Sequence, residues 1–553
     1  MRFILKSAED IPMTGFSNDK PTPLRVTFQD DPQVKAAQAI DDYSRHVVPL
    51  TARSGRWGLT MAFWAVASAL FFLYISVVVA QTVGTVDAII GIVISVALFG
   101  VVNNIFSKRA ISNGLTVGLL SRRLFGGVGA IITTLLLGMT AVYFAVFEGS
   151  IIAVALKQYF GPNIDIRWWY LLVVLYALPL VIGGVQVWLD KLNGALLPLC
   201  VIGIVVIVVA AGKLNGFSMS FLKIPATTKV ALPGWLWATI VYMGDFAQMM
   251  FTIDYARFGK PKDAKFHGTM TFGPVFYIAA FLVNGLVGIF LMNTVFPGLK
   301  ASENGVAEAI ISASGVFGLV FIILSQTRIN TANYYLASVN LGGFAARAFG
   351  LRLPRIVWVG VAGLLVYALM LTNVFSYLLK ALAWQGSAIT AWVAIALTHY
   401  MLEKDSRNGP EFRPGRVRQV TPGAWAFLIS TAAGIALIEL GNPASWYVQS
   451  APLLVGVQAA VLYAATSKLE SSRVLTRAFD PREEVDDVWA ARVECHACNL
   501  SYAALEMDRD PSANQQPICA GCAEGNHAFL EAAREESRQL EGEMPSGAFA
   551  RQK

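Results

Sequence analysis

Residues 57–466 alternate between long apolar runs and short polar stretches. Runs of about 18–25 residues cross the roughly 30 Å hydrocarbon core of a bilayer as single helices. Twelve spans are expected, numbered 1 to 12 in chain order: 57–81, 86–106, 127–157, 168–188, 193–212, 233–254, 269–296, 313–340, 354–372, 374–402, 423–441 and 445–466. Residues 1–56 lack a helical apolar period and a cleavable signal pattern, and are expected to be a cytosolic tail. Beyond 467 the charge rises and the long apolar runs stop, so 467–553 is expected to be a small cytosolic appendix.

Composition agrees with this pattern. Of 553 residues, 55% are hydrophobic and 14% charged, against about 25% charged in a soluble domain. A net charge of +7 would admit a nucleic-acid partner, but Lys and Arg gather in short loops between the runs, at 107–123, 257–265, 347–355 and 404–418. That placement orients helices in a membrane, and nucleic acid is excluded as a partner. The alternate loops 160–166 and 296–305 are poorer in basic residues, while 213–229 holds three lysines as the exception. Both termini are expected in the cytosol, with the spans in a bacterial cytoplasmic (inner) membrane. The mixture of Gly, apolar and Arg residues at 114–126 predicts an amphipathic connector lying on the cytosolic interface.

Ionisable residues inside spans are costly and usually functional. Span 6 carries Asp245 after Gly244, a plausible helix break, and ends in Asp254-Tyr255-Ala256-Arg257-Phe258-Gly259-Lys260. Span 3 carries Glu148 four residues after Phe144, which puts an aromatic platform and a polar hook on one helix face. Phe144 alone would read as core packing. Span 8 carries Thr327, Arg328, Asn330 and Asn333, the two asparagines on one face. An acid accepts hydrogen bonds and an arginine only donates, so Asp245 and Glu148 favour an N–H-rich or cationic small molecule. Span 1 offers Trp64, Ser68 and Tyr74. Trp384-Gln385-Gly386 would be a gate or packing, and His399 is expected at the interface.

Three stretches carry a family resemblance: Asn113-Gly114…Ser121-Arg122-Arg123…Phe125-Gly126, the Asp254–Lys260 end of span 6, and Asn330-Thr331-Ala332-Asn333-Tyr334-Tyr335-Leu336-Ala337-Ser338. Together they resemble the nucleobase:cation symporter-1 family, which includes purine-cytosine, uracil, allantoin, hydantoin and thiamine permeases. The resemblance covers roughly residues 55–465. It implies an all-α membrane protein with a LeuT-like 5+5 inverted repeat plus two extra helices. Spans 1 and 6 would be broken near the midplane, with substrate held between spans 1, 3, 6 and 8 and moved by alternating access. Gly244 and Asp245 would then face substrate, and Phe144 and Glu148 stand where family members tend to have Trp and Gln. Asn330 and Asn333 would bind substrate edges. Sodium-coupled members place their ion ligands at the level of Thr327 and Asn330. Arg328 departs from this: a guanidinium cannot ligate sodium, and it is expected to stand in for the ion. Proton coupling or exchange follows, with a sodium-coupled nucleobase symporter as the alternative. An enzyme is not expected, since no Walker motif, nucleophile elbow or His-rich metal site occurs.

Cys495-His-Ala-Cys498 and Cys519-Ala-Gly-Cys522 form two knuckles with zinc-ribbon spacing at about 490–527. A structural zinc on four thiolates is expected, with His496 and His527 as spares, 506–510 as a solvated loop, and a cytosolic protein as the module's possible partner. A transporter-like receptor signalling through this ribbon is the reading from another class. Cys200, in an apolar run, reads as a small buried hydrophobe.

Overall fold

The computed structural model describes residues 21–40, 42–182, 185–298, 305–351, 353–372, 378–402, 409–467 and 474–543. The expected start of span 10 at 374–377 and residues 404–408 of an expected basic loop lie outside these. Contacts divide the chain into two units, Pro32–Leu475 and the described parts of Met1–Asp31 with Thr476–Lys553. The N-terminal segment is therefore shared between units.

In the larger unit a helix occupies the place of each expected span. Among the described residues six are individually long and apolar enough to cross a membrane: Thr85–Asn113, Val117–Phe160, Leu196–Asn215, Pro261–Val295, Leu379–Leu402 and Pro422–Leu440. Arg56–Ser68 and Phe71–Val83 form a pair bent by 43°, the broken span 1. Shorter apolar helices stand at spans 4, 6, 9 and 12: Ile166–Val181, Gly234–Met243, Arg355–Met370 and Ala451–Thr466. Span 8 is Val316–Ala348, made less apolar by Gln326, Arg328, Asn330 and Asn333. Span 6 is interrupted at 244–246, with a second helix at Ala247–Ala256.

Local chemistry sets these boundaries. Span 2 lies between Gly84 (φ 87°) and Gly114 (φ 67°); a glycine in the left-handed region is the usual helix stop. The Thr116 hydroxyl then accepts from Leu119 N at 3.0 Å and caps the next helix. That next helix corrects the expected interfacial connector. Residues 117–121 and 124–126 are buried, and the helix runs into span 3 through a kink at Gly126 (φ 84°, ψ 174°). The cover is a strap from the loop before span 11: Gly127 N donates to Arg418 O (2.9 Å) and Val128 N to Gln419 O (2.8 Å). A Cβ on Gly126 would sit 2.6 Å from Arg418 O, so both torsion and space require glycine.

In the smaller unit, strand Val26–Thr27 pairs antiparallel with Arg492–Glu494, which pairs with Ser501–Ala503, while Met507–Asp510 pairs with Gln516–Cys519. Helix His527–Glu543 buries Phe529 and Ala533 against Val493, Met507 and Ile518. The expected solvated loop at 506–510 is instead buried throughout. Its charges are matched: Arg509 pairs with Glu484, Arg477 with Asp508 at 3.2 Å, and His496 with Asp510 at 3.0 Å.

Candidate functional site

The break in span 1 leaves backbone groups without intrahelical partners, and side chains from other spans supply them. Gln326 donates from Nε2 to Ser68 O (3.3 Å) and accepts from Leu70 N at 3.4 Å. Asn284 of span 7 donates to Ala67 O at 2.7 Å. Ser68 Oγ bonds Ala65 O (2.6 Å) and Ser325 O (3.2 Å). The carboxyl of Glu148, 1% exposed, lies beside the backbone amides of Leu70 and Phe71. It therefore faces the positive end of the half-helix Phe71–Val83.

The span 6 interruption is a tightening. Gly244, Asp245 and Phe246 donate three residues back, to Val241 O, Tyr242 O and Met243 O, at 2.9–3.1 Å. Gly244 packs on span 10: Gln385 donates to its carbonyl at 3.1 Å, and a Cβ on Gly386 would lie 3.0 Å from Gly244 Cα. Its neighbours there are helix backbone and Leu382.

Between the two breaks lies a cavity of ≈ 20 Å³ lined by Val66, Phe71, Phe144, Glu148, Gln248 and Asn333, among others. That holds about one water, so the site is closed in this state. Phe144 meets Phe71 edge-on at 5.4 Å. Glu148 Oε2 and Asn333 Nδ2 have no hydrogen-bond partner among the described residues. Asn330, buried a turn earlier, has none on either amide atom but does not line the cavity. Asp245, 2% exposed, lies against Gln248, and neither carboxyl oxygen completes a hydrogen bond.

Arg328 is fully buried. Its guanidinium reaches Met61 O of span 1 (3.5 Å) and the Cys200 thiol of span 5. Thr327, on the adjoining face, turns to span 4, where its hydroxyl meets Tyr176 Oη at 2.8 Å. Gln248 and Gln326 are neutral amides whose only sequence signal is a polar residue within a span. Trp64 bonds Met270 O (3.2 Å) and Trp384 bonds Glu439 (2.7 Å), both away from the cavity. His399 is buried against Tyr463 Oη (3.0 Å) rather than interfacial.

The Asp254–Lys260 motif serves the chain's own backbone. Asp254 Oδ1 accepts from Val117 N (2.8 Å), and Arg257 donates to Asp42 O (2.8 Å) and Tyr43 O (3.0 Å). These groups border a second cavity, ≈ 80 Å³, together with Thr116, Tyr335 and Arg347.

In the other unit the four sulfurs of Cys495, Cys498, Cys519 and Cys522 lie within 4.8 Å of one another. Tetrahedral Zn–S bonds of about 2.3 Å would set them about 3.8 Å apart. Peptide N–H groups point at two of them, Cys519 N to Cys495 Sγ (3.3 Å) and Cys522 N to Cys519 Sγ (3.4 Å). The Cys519 thiol and nearby amides push the Cys495 thiol pKa down, while burial and the neighbouring cysteines push Cys519 and Cys522 up. The donor set fits a closed metal site.

No protein-family model and no curated protein matches the sequence. Solved structures match in fold. Mhp1, a nucleobase-cation-symport-1 family transporter, in a closed conformation with bromovinylhydantoin bound, aligns at TM-score 0.57 and 15% identity over 76% of this chain and 94% of that one. Inward-facing Mhp1 aligns at 0.61 and 14%, over 77% and 93%. A substrate-bound, outward-open Na+-coupled sialic acid symporter aligns at 0.54 and 13%, over 79% and 93%. The chain is thus an integral membrane protein with the LeuT-like fold seen in Mhp1, carrying a four-cysteine, zinc-ribbon-like appendix.

Proposed function

We propose that the chain is a secondary transporter of a small nitrogen-rich solute, an amino-substituted or cationic heterocycle, working by alternating access without sodium. The observation that carries this is the pair Glu148 and Asp245. Both are buried beside the helix breaks of a transporter fold, and neither has an ion-pair partner among the described residues. Buried acids in that state need a proton or a cationic, N–H-bearing ligand. Phe144 offers an aromatic face, Glu148 an acceptor for substrate N–H groups, and Asn333 a further edge contact. Gly244 contributes the close span 6–span 10 contact. Arg328 holds spans 8 and 1 together where Thr327 and Arg328 had suggested an ion position, so the coupling ion is a proton or transport is exchange. The four cysteines hold a structural zinc, and the termini lie in the cytosol of a bacterial cell.

The test is counterflow in proteoliposomes with labelled cytosine, adenine, thiamine, uracil and allantoin, with and without sodium. Sodium-independent exchange of the amino-substituted or cationic compounds is expected. Exchange confined to uracil and allantoin refutes the role of the acids, a strict sodium requirement refutes the role of Arg328, and binding without counterflow makes the protein a receptor.

A further inference from the structure

We propose that Asp245 is the seat of the coupling proton and that Gln248 reports its protonation to the substrate cavity. This rests on the transport reading above and divides the work between the two acids.

Their surroundings differ in kind. Glu148 lines the cavity beside the first amides of Phe71–Val83, which suits an acceptor for substrate N–H groups. Asp245 does not line the cavity and has no donor at either oxygen. The groups facing it are Tyr242 and Gln248 on its own span, Tyr277 on span 7 and the Glu148 carboxyl on span 3. Asn103 of span 2 bonds Tyr277, and Gln385 of span 10 bonds the Gly244 carbonyl; neither titrates. Among these groups none is cationic.

The Tyr242 hydroxyl proton is committed. Ser76 Oγ donates to Phe72 O at 2.7 Å, so its 2.7 Å contact with Tyr242 Oη is a bond that Tyr242 donates. Tyr277 Oη accepts from Asn103 Nδ2 at 2.9 Å. Gln248 Oε1, Thr252 Oγ1 and Asn103 Oδ1 are buried without partners. The Tyr277 and Thr252 hydroxyls can still donate, but no described residue bonds either Asp245 oxygen, and a buried carboxylate left so is costly. One proton on Asp245 supplies a donor, and Gln248 Oε1 stands one helical turn away to receive it.

Gln248 touches both sides. It lines the cavity and lies against Asp245. Its amide has one donor end and one acceptor end. A charged Asp245 engages the NH2 end and leaves Oε1 to the cavity. A protonated Asp245 donates to Oε1 and turns the NH2 towards the cavity. A solute presenting a ring nitrogen or carbonyl at that edge therefore binds together with the proton. The O–H bond on Asp245 forms with a proton from the side where substrate enters. It breaks when the site opens opposite, and the proton leaves with the substrate, one for one.

The experiment uses the full chain in proteoliposomes and in detergent. For the wild type, a pH gradient acid on the entry side should drive uphill accumulation without sodium. Substrate affinity should change about tenfold per pH unit where one proton is linked. Substrate added to weakly buffered protein with a pH dye should take up about one proton per molecule bound. Asp245→Asn should make affinity independent of pH and abolish pH-driven accumulation. Gln248→Leu should lower the proton-to-substrate ratio, and Glu148→Gln should weaken binding at every pH. Accumulation that survives in Asp245→Asn, accumulation that needs sodium, or no proton uptake on binding would each overturn the proposal. Wild-type counterflow that ignores the pH gradient overturns the proton seat and leaves the transporter standing; absence of counterflow overturns both. Since the wild-type proton count needs no variant, misfolding of Asp245→Asn cannot rescue the idea.

Discussion

Replacing Gln326 by leucine tests whether span 8 holds the break in span 1. Gln326 is fully buried, and its amide bonds Ser68 O, Ser325 Oγ (3.0 Å) and Leu70 N. Leucine has a similar volume, so little of the effect would come from a cavity. The change leaves Ser68 O and Leu70 N as the orphans. A buried orphan costs about 1–3 kcal/mol. The lost bonds are long, and interhelical bonds in membranes average nearer 0.6 kcal/mol, so about 1–2 kcal/mol is expected. The loss is local. Hydrogen exchange of the amides at 65–72 should therefore speed up by about 5- to 30-fold, with spans 11 and 12 unchanged. Equal exchange at 65–72 in variant and wild type would show that Gln326 does not secure the break.

Gly126→Ala places a side chain in a torsion region nearly confined to glycine, at about 1–3 kcal/mol before any clash with Arg418 O. Lower thermal stability in detergent is expected, while Gly127→Ala, whose Cβ meets only Gln419 Oε1 at 3.8 Å, should be at least as stable as wild type. Arg509→Met removes a fully buried guanidinium that pairs with Glu484 and donates to Thr22 O (2.7 Å) and Gln515 O (2.6 Å). Breaking such a pair costs about 3–5 kcal/mol, and exchange protection over 507–519 should fall while the spans stay protected. Elemental analysis should find one zinc per chain. Cys519→Ser or a strong chelator should remove it together with protection at 492–519; full protection without metal would mean that the fold does not depend on it.

The spans were legible because the bilayer sets one length scale, and a run long enough to cross it has few other uses. The span 6 break was legible from Gly244-Asp245, and the Phe144–Glu148 pairing from helical spacing alone. The connector at 117–126 was not, because its partners include Asp254, Arg347, Trp392 and residues 418–421, all more than a hundred positions away. The same holds for 506–510. Alternating charges read as a solvated loop until Glu484, Arg477 and His496 are brought to them from elsewhere in the chain. Thr327 and Arg328 adjoin in sequence, but about 100° on a helix separates the face that meets Tyr176 from the face on which Arg328 meets span 1. Gln248 and Gln326 escaped because an uncharged amide in a span is weak evidence until its partners are known.

Arg328 constrains how such a transporter could switch. A bound ion that links two helices can leave, and its departure releases them; a guanidinium tethered to span 8 cannot. With Arg328 on Met61 O, the link between spans 1 and 8 is permanent in charge, so the event that frees span 1 has to be electrostatic elsewhere or supplied by substrate. Glu148 is the group placed to do it, since its carboxyl lies beside the first amides of Phe71–Val83 and the residue lines the cavity. A cationic or N–H-rich solute drawing on that carboxylate competes with the half-helix for the same charge. Solute binding and the hold on span 1 are then opposed at one side chain, and Glu148→Gln, which keeps an acceptor but removes the charge, should loosen both.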